Sequence, residues 1–451
     1  MDRYVADHGV LQNDSRRCPP VKHSPGATTN PVGSARQRPA GRGRAAGRPM
    51  LGSMSMNQQR AWAAIAAATL LNLPMGSLYA FSVLLKPLEE SLGATRSELS
   101  IVFAIATICF TLGMNLAPRL FHVAPAPVLI ALCTVGGTIG LALAATADSL
   151  VRLALGYGVL FGICGGAAYI FLQQGVNLLV HGHRGLVNGY IVSLYPAGAM
   201  IAAPAFGWAL TDWGVRGTIA GLAGVVAATG LAATALVLHA GVQLPPAARA
   251  ATPTSGPSRV VIFWQIWTAF FLAAAAGLTV LSQAAGIIVA YGGSTAMALG
   301  ATTAITGAIA AARLGGGWLV DQFPIPVVMA AAHVLALAGT ITLTLWPTPL
   351  VSLATLAMIG MGYGFISGST AGAVAFYWPS SDYGRIASRL YIAWCTAAVT
   401  LPVLAGHLYD LSGGYRLAVI IAGAGNLLGI VVACFLPRQS PAAAKPGDVR
   451  P

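Results

Sequence analysis

Between Arg259 and Arg313 the chain carries no Lys, Arg, Asp or Glu at all, and shorter uncharged apolar runs recur from Ala61 onward. These runs constrain the fold more than any motif does. A bilayer core of roughly 30 Å takes about 20 apolar residues as a helix, and in lipid every backbone N–H and C=O must be satisfied within the structure. Twelve runs qualify: 61–85, 99–116, 127–147, 153–180, 186–211, 217–242, 260–291, 294–320, 327–345, 350–377, 387–409 and 417–436. The expected fold class is an all-α integral membrane protein of twelve transmembrane helices, embedded in a lipid bilayer. Composition agrees, with 56% hydrophobic and 8% charged residues, against about 25% charged in soluble domains.

A net charge of +13 would suggest a nucleic-acid partner until the charges are located. Met1 to Arg60 holds ten Lys/Arg against Asp2, Asp7 and Asp14, so ten minus three places +7 of that charge in one Pro/Gly/Ser/Arg-rich tail. No nucleic acid and no obligatory protein partner is inferred. The tail lacks an apolar segment and is expected to be disordered, and Met50, Met54 and Met56 leave a later start open. Cys18, Cys109, Cys133, Cys164, Cys395 and Cys434 show no paired spacing, so neither a disulfide framework, a metal site nor a cofactor is read from them.

Orientation follows the Lys/Arg of the short loops. With both ends inside, the inner loops and C-terminal tail carry Arg119, Arg184, Arg249, Arg259, Arg385, Arg389, Arg438, Lys445 and Arg450; the outer loops carry Lys86, Arg96, Arg152, Arg216 and Arg416. Both termini are therefore expected on the cytoplasmic side of the inner membrane. The Pro-rich stretch 243–259 reads as a cytoplasmic linker between six-helix halves, 60–242 and 260–437, flanked by tails 1–59 and 438–451. The halves repeat each other. Gly156-Tyr157-Gly158 followed by Gly162 recurs as Gly362-Tyr363-Gly364 followed by Gly368. Gly207, Asp212 and Arg216 recur as Gly406, Asp410 and Arg416. Repeats of this kind put a substrate site near mid-membrane between the halves.

Arg313 stands inside the eighth run, eight residues before Asp321. If Asp321 marks the water boundary, Arg313 lies about 12 Å deeper. A cation at that depth costs roughly 2.5–3.5 kcal/mol on insertion scales and needs a partner. The other runs offer no central carboxylate, so the partner is expected to be an anionic substrate.

The twelve spans, the linker and Gly316-Gly-Trp-Leu-Val-Asp-Gln322 resemble the major facilitator superfamily, with Gln322 in place of the basic residue of its loop motif. The loop after span two, 117–122, lacks the Asp. Three stretches are similar to the branch of oxalate/formate antiporters and monocarboxylate transporters: Gly76 to Leu88 with Ala94 to Ser100, His183 to Gly189, and Leu401-Pro402 with Gly406 to Asp410 and Tyr415. The resemblance implies that the helix-eight arginine, here Arg313, binds a substrate carboxylate. It also implies lining tyrosines, matched by Tyr79, Tyr169 and Tyr195. Trp394 stands where dicarboxylate carriers have a lysine, and Ile309 where proton-coupled members often have an acid, so one cation favours a monoanion. Guanidinium grips a carboxylate bidentately. Small residues from Gly368 to Gly372 suggest a roomier cavity.

The function expected is secondary active transport of a small organic anion, most simply a monocarboxylate, by alternating access, with a proton or counter-anion as coupled ion. A drug or metabolite exporter with a structural Arg313 is the nearest alternative. A polytopic enzyme would need His/Asp/Glu clusters at the membrane edge, and a sensor a signalling domain; neither stands in the sequence. Gln173, Gln174 and Asn177 read as interhelical hydrogen-bonding residues, and His333 and His407 as ordinary polar residues rather than proton relays.

Overall fold

The computed structural model describes residues 55–244 and 259–438, within one unit, Met54–Pro451. The disorder expected for the basic tail and the loop expected for most of the linker lie outside the described residues. Among those described, eleven helices are long and apolar enough to cross a membrane. One of them, Arg184–Ala240, has 57 residues, about 86 Å of helix, which is far more than a bilayer core accepts. It turns at Gly214 (φ 64°, ψ −179°), a backbone region open essentially to glycine alone. The run therefore makes two crossings, and the total is twelve.

In chain order the crossings are α1 Met56–Leu92, α2 Arg96–Leu120, α3 Ala126–Ala145, α4 Leu150–Leu179, α5 184–213, α6 215–240, α7 Arg259–Ala290, α8 Thr295–Gln322, α9 Ile325–Leu345, α10 Pro349–Tyr377, α11 Tyr383–Ser412 and α12 Arg416–Cys434. An even number of crossings puts the start of α1, the end of α6, the start of α7 and the end of α12 on one face, here called the linker face. The first helix starts earlier than hydropathy suggested. Residues 56–59, read as tail, are helical because Ser55 and Gln58 form a reciprocal capping box. The stretch Ala94 to Ser100 holds a second such box, Thr95 with Glu98, which starts α2. The uncharged hairpins turn where expected. Gly292 (φ 88°) and a Gly293 N–H bond to the Ile288 carbonyl close one, and Thr348 caps α10 after the other.

Two helices are locally irregular, each near a tyrosine. After Pro74, α1 tightens to 3-10 geometry over Gly76–Ala80, which contains Tyr79. In α4 the turn Ala154–Phe161 widens to a π-helix around Gly156-Tyr157-Gly158. Such departures cluster at functional or strained segments.

The sequence repeat has a packing meaning. Gly360, Gly364, Gly368 and Gly372 form an i, i+4 ladder on α10. An added Cβ would meet Ile305 and Ile309 at Gly360, Ala312 at Gly364, the Arg313 carbonyl at Gly368, and Val320 at Gly372. In α4, Gly158, Gly162 and Gly166 face Ile105, the Ala106 carbonyl and the Phe110 carbonyl of α2 in the same manner. The first glycine of each motif faces the other way, Gly156 onto α3 and Gly362 onto α9. Small residues that let helix backbones approach are the usual adhesive where lipid removes the hydrophobic drive between helices. This corrects one expectation. The small residues from Gly368 to Gly372 do not widen a cavity; α8 occupies the space their missing side chains leave.

The same device joins the halves. Gly317 of α8 lies against Gly185 and Gly189 of α5, and a Cβ on Gly189 would sit 2.7 Å from the Arg313 carbonyl oxygen and 2.8 Å from the Gly317 Cα. Gly207, farther along α5, has nothing within 4 Å of its added Cβ. Gly317→Ala should therefore lower the melting temperature of the purified protein by several degrees, since overpacking costs about 1–3 kcal/mol. Gly207→Ala should leave it unchanged or slightly raised. Equal melting temperatures for the two variants would contradict this packing.

Candidate functional site

Arg313 is 6% exposed although it lies about 14 Å, nine residues, from the linker-face end of α8. Its Nη1 donates to the Val192 carbonyl of α5 at 3.1 Å, and its Nη2 to the Tyr363 hydroxyl of α10 at 2.8 Å. The Tyr363 ring also lies under the guanidinium, 5.2 Å from Cζ to centroid, and is pressed into place against Gly277 of α7. Tyr79 is a further hydrogen-bonding neighbour of the guanidinium, and Tyr169 and Tyr391 are within electrostatic reach of the charge. The Nε is buried and has no acceptor. Among the described residues the ion pairs are Arg96–Glu89, Arg152–Asp148 and Arg385–Asp382, all near helix ends, and none answers Arg313.

The aromatic residues singled out by sequence converge beside it. Tyr79 and Tyr195 meet edge to face at 6.1 Å and Tyr169 and Tyr195 at 5.4 Å between ring centroids, and Tyr79 and Trp394 lie tilted at 6.1 Å. Phe110 of α2 fills the centre, 5.2 Å from Tyr195 and 6.3 Å from Trp394. Tyr391 closes the far side through a 2.8 Å hydroxyl–hydroxyl bond with Tyr169 and an edge contact with Phe270 of α7. Four helices of the first half and four of the second thus share one layer at mid-depth: α1, α2, α4 and α5 with α7, α8, α10 and α11.

Sequence reasoning missed Phe110, Tyr363 and Tyr391. Tyr363 was visible only as the centre of the repeated Gly-Tyr-Gly, and its role is asymmetric. Its counterpart Tyr157 is fully buried against Phe81 and Phe161, with no partner for its hydroxyl. Tyr391 sits three residues, nearly one turn, before Trp394, a spacing that could have flagged it.

On the linker-face side of this layer, hydrogen bonds lock the halves together. The Asp321 carboxylate, read from sequence as a boundary marker and as the Asp of the loop motif, accepts the N–H groups of Gly185 and Leu186 at 2.8 Å each, so a residue of α8 caps α5 of the other half. Gln174 of α4 does the reciprocal work on α11. Its amide nitrogen donates to the Ser380 carbonyl at 2.7 Å and its oxygen accepts from Gly384 N at 2.6 Å. Asn115 of α2 donates to the Ser388 carbonyl at 3.0 Å. The loop after α2 has no Asp, and these two amides join that side of the seam instead. Asn177 pairs with Asn188 inside the first half, whereas Gln173 is buried with neither amide atom bonded. His333 is buried against Asn426 in the second half, and His407 is exposed.

Chemically, the layer offers one positive charge with an unsatisfied N–H, several hydroxyls, and large flat apolar surfaces. A separate cavity of about 370 Å³ between α7, α11 and α12 is lined by Phe271, Leu404, Ala418 and Ile421 among others, and holds no charged group.

Residues 65–395 match the sequence profile of the Major Facilitator Superfamily. Monocarboxylate transporter 13 of Rattus norvegicus is 26% identical over 377 residues, which is 77% of this chain and 81% of the relative. The proton:xylose symporter XylE superposes with a TM-score of 0.69 at 14% identity, covering 85% of this chain and 98% of that one. The human organic anion transporter MFSD10 superposes with a TM-score of 0.63 at 16% identity, covering 83% and 99%. At such identities the superpositions show the fold alone, and their cargoes differ.

The clamps make a direct prediction. Asp321→Ala removes the acceptor for two helix-end N–H groups, a loss worth about 0.5–2 kcal/mol for a helix cap, and should lower the melting temperature. Asp321→Asn, which keeps one acceptor oxygen, should recover part of it. An unchanged melting temperature in Asp321→Ala would show that the clamp carries no stability.

Proposed function

The chain belongs to the Major Facilitator Superfamily and is a secondary transporter of a small solute rather than an enzyme, and we propose that the solute is a small organic monocarboxylate held at Arg313. The observation that carries this reading is a buried mid-membrane guanidinium, at the seam of the halves, with no carboxylate partner among the described residues and a free Nε. An unpaired charge in a low-dielectric interior is costly, and a bound carboxylate would remove that cost. The similarity to monocarboxylate transporter 13 supports the same class of cargo, as do the stretches that resemble the oxalate/formate and monocarboxylate branch.

In this reading Tyr79, Tyr169, Tyr195 and Trp394 line the site. The halves 60–242 and 260–437 rock about it, the chain lies in the inner membrane with both termini cytoplasmic, and the linker face is the cytoplasmic one. A single cation suits a monoanion better than a dianion. Because an empty arginine loses a protein acceptor when the seam opens, whereas a bound carboxylate would compensate it, exchange against a counter-anion or symport with a proton is favoured over a leak. The rival reading, a carrier of another cargo with a structural Arg313, draws on the bonds to Val192 and Tyr363. It leaves the free Nε unexplained.

The discriminating experiment is thermal stabilisation of purified wild type, Arg313→Lys and Arg313→Gln by short monocarboxylates, dicarboxylates and neutral analogues. At a ligand concentration 100-fold above Kd the wild type should gain about 2.7 kcal/mol. Arg313→Gln should weaken monocarboxylate binding by about 30-fold or more, the equivalent of losing at least ~2 kcal/mol from a buried charge pair. Equal stabilisation of wild type and folded variants, or none by any carboxylate, would make Arg313 structural.

A further inference from the structure

The carbonyl that Arg313 grips is no ordinary helix carbonyl. Pro196 lies inside α5, four residues after Val192. Proline has no N–H, so the i+4 donor that would satisfy the Val192 carbonyl is missing from the helix. In lipid such a group cannot turn to water. Its donor comes from the other half instead: Arg313 Nη1 at 3.1 Å. Two deficits meet, a carbonyl without a donor and a guanidinium without a carboxylate.

We propose that Pro196 is a positioning residue for Arg313: by vacating the Val192 carbonyl it supplies a fixed acceptor across the seam, which orients the guanidinium and ties α8 to α5 while the linker face is closed. The tie is the innermost of three along one pair of helices. Asp321 on Gly185 and Leu186 is at the linker-face end, and Gly317 against Gly185 and Gly189 follows it inward. Nη1 is committed to α5 and Nη2 to Tyr363, and Nε is left for a ligand.

The arrangement has a consequence for coupling, which rests on Arg313 being the anion site. When α5 and α8 part at the linker face, the bond between the carbonyl and the guanidinium is broken and entering water has to replace it at both groups. A carboxylate already on the guanidinium compensates the arginine at that moment, so the loaded carrier opens more readily than the empty one. Pro196 thereby makes substrate-free opening unfavourable.

The tie is testable without substrate. Ser388 is 2% exposed on α11 at the closed linker-face seam, and Ser388→Cys, in a background with the other cysteines replaced, reports opening through its rate of maleimide labelling in purified protein. Pro196→Ala restores the missing N–H and favours helix, so it should fold. It should speed labelling by about tenfold, the effect expected for a hydrogen bond to a charged group. Arg313→Gln, which also loses the bond to Tyr363, should label at least as fast, and the double variant no faster than Arg313→Gln alone, because the bond to Val192 is common to both changes. Pro204→Ala on the same helix restores the donor to a different carbonyl, that of Met200, and should leave the rate unchanged.

Labelling of Pro196→Ala at the parent rate would overturn the proposal. So would multiplied effects in the double variant, or an equal acceleration in Pro204→Ala, which would trace the effect to helix bending. Carboxylate stabilisation read on the same variants keeps the two readings apart. If the cycle holds and no carboxylate binds, the tie stands and the anion site fails; if carboxylates bind and the cycle fails, the reverse holds.

Discussion

A positive charge held at the middle of the bundle, without a carboxylate partner among the described residues, governs the structure around it. Burying the guanidinium is tolerable only because each arm of Arg313 that meets protein is answered by an acceptor, and because those acceptors come from two different helices. One lies in each half of the molecule, Val192 in α5 and Tyr363 in α10. The charge is therefore tied into the seam that a carrier must open. The glycine ladder of α10 and the glycine contacts between α5 and α8 bring these helices close enough for the bonds to form. Asp321 then secures the same pair of helices at the linker face.

The two halves share a plan and differ where chemistry is needed. Tyr157 and Tyr363 occupy the same place in the repeat, yet only Tyr363 has a guanidinium to meet. The linker-face clamp on α5 uses a carboxylate, whereas the matching clamp on α11 uses the amide of Gln174 from a different helix. Pseudo-symmetry gives the carrier two bundles that can pack against each other. The departures from symmetry give it a single charged site in an otherwise aromatic layer.

Much of the fold was legible in the sequence because a bilayer leaves few solutions. Uncharged runs of the right length had to be helices, and the observed crossings differ from them mainly at ends that capping fixes, as at Ser55 with Gln58 and Thr95 with Glu98. Arg313, Tyr79, Tyr169, Tyr195 and Trp394 were found by depth and resemblance, and they do converge. What stayed hidden depends on which helix faces which. The missing donor at Pro196 is plain in one dimension, but its partner is 117 residues away in the other half. Gly368 and Gly372 suggested space, and only the position of α8 shows that the space is filled. Asp321 looked like a solvated boundary because its two N–H partners lie across the seam.

The central claim is that the free edge of Arg313 receives a carboxylate. The most direct measurement is a structure determined with a stabilising short monocarboxylate bound. The account predicts a carboxylate oxygen within hydrogen-bond distance, about 3 Å, of Arg313 Nε, with the rest of the molecule against the Tyr79, Tyr195 and Trp394 rings. A ligand seated away from Arg313, with the guanidinium still bonded to Val192 and Tyr363 and Nε unoccupied, would contradict it.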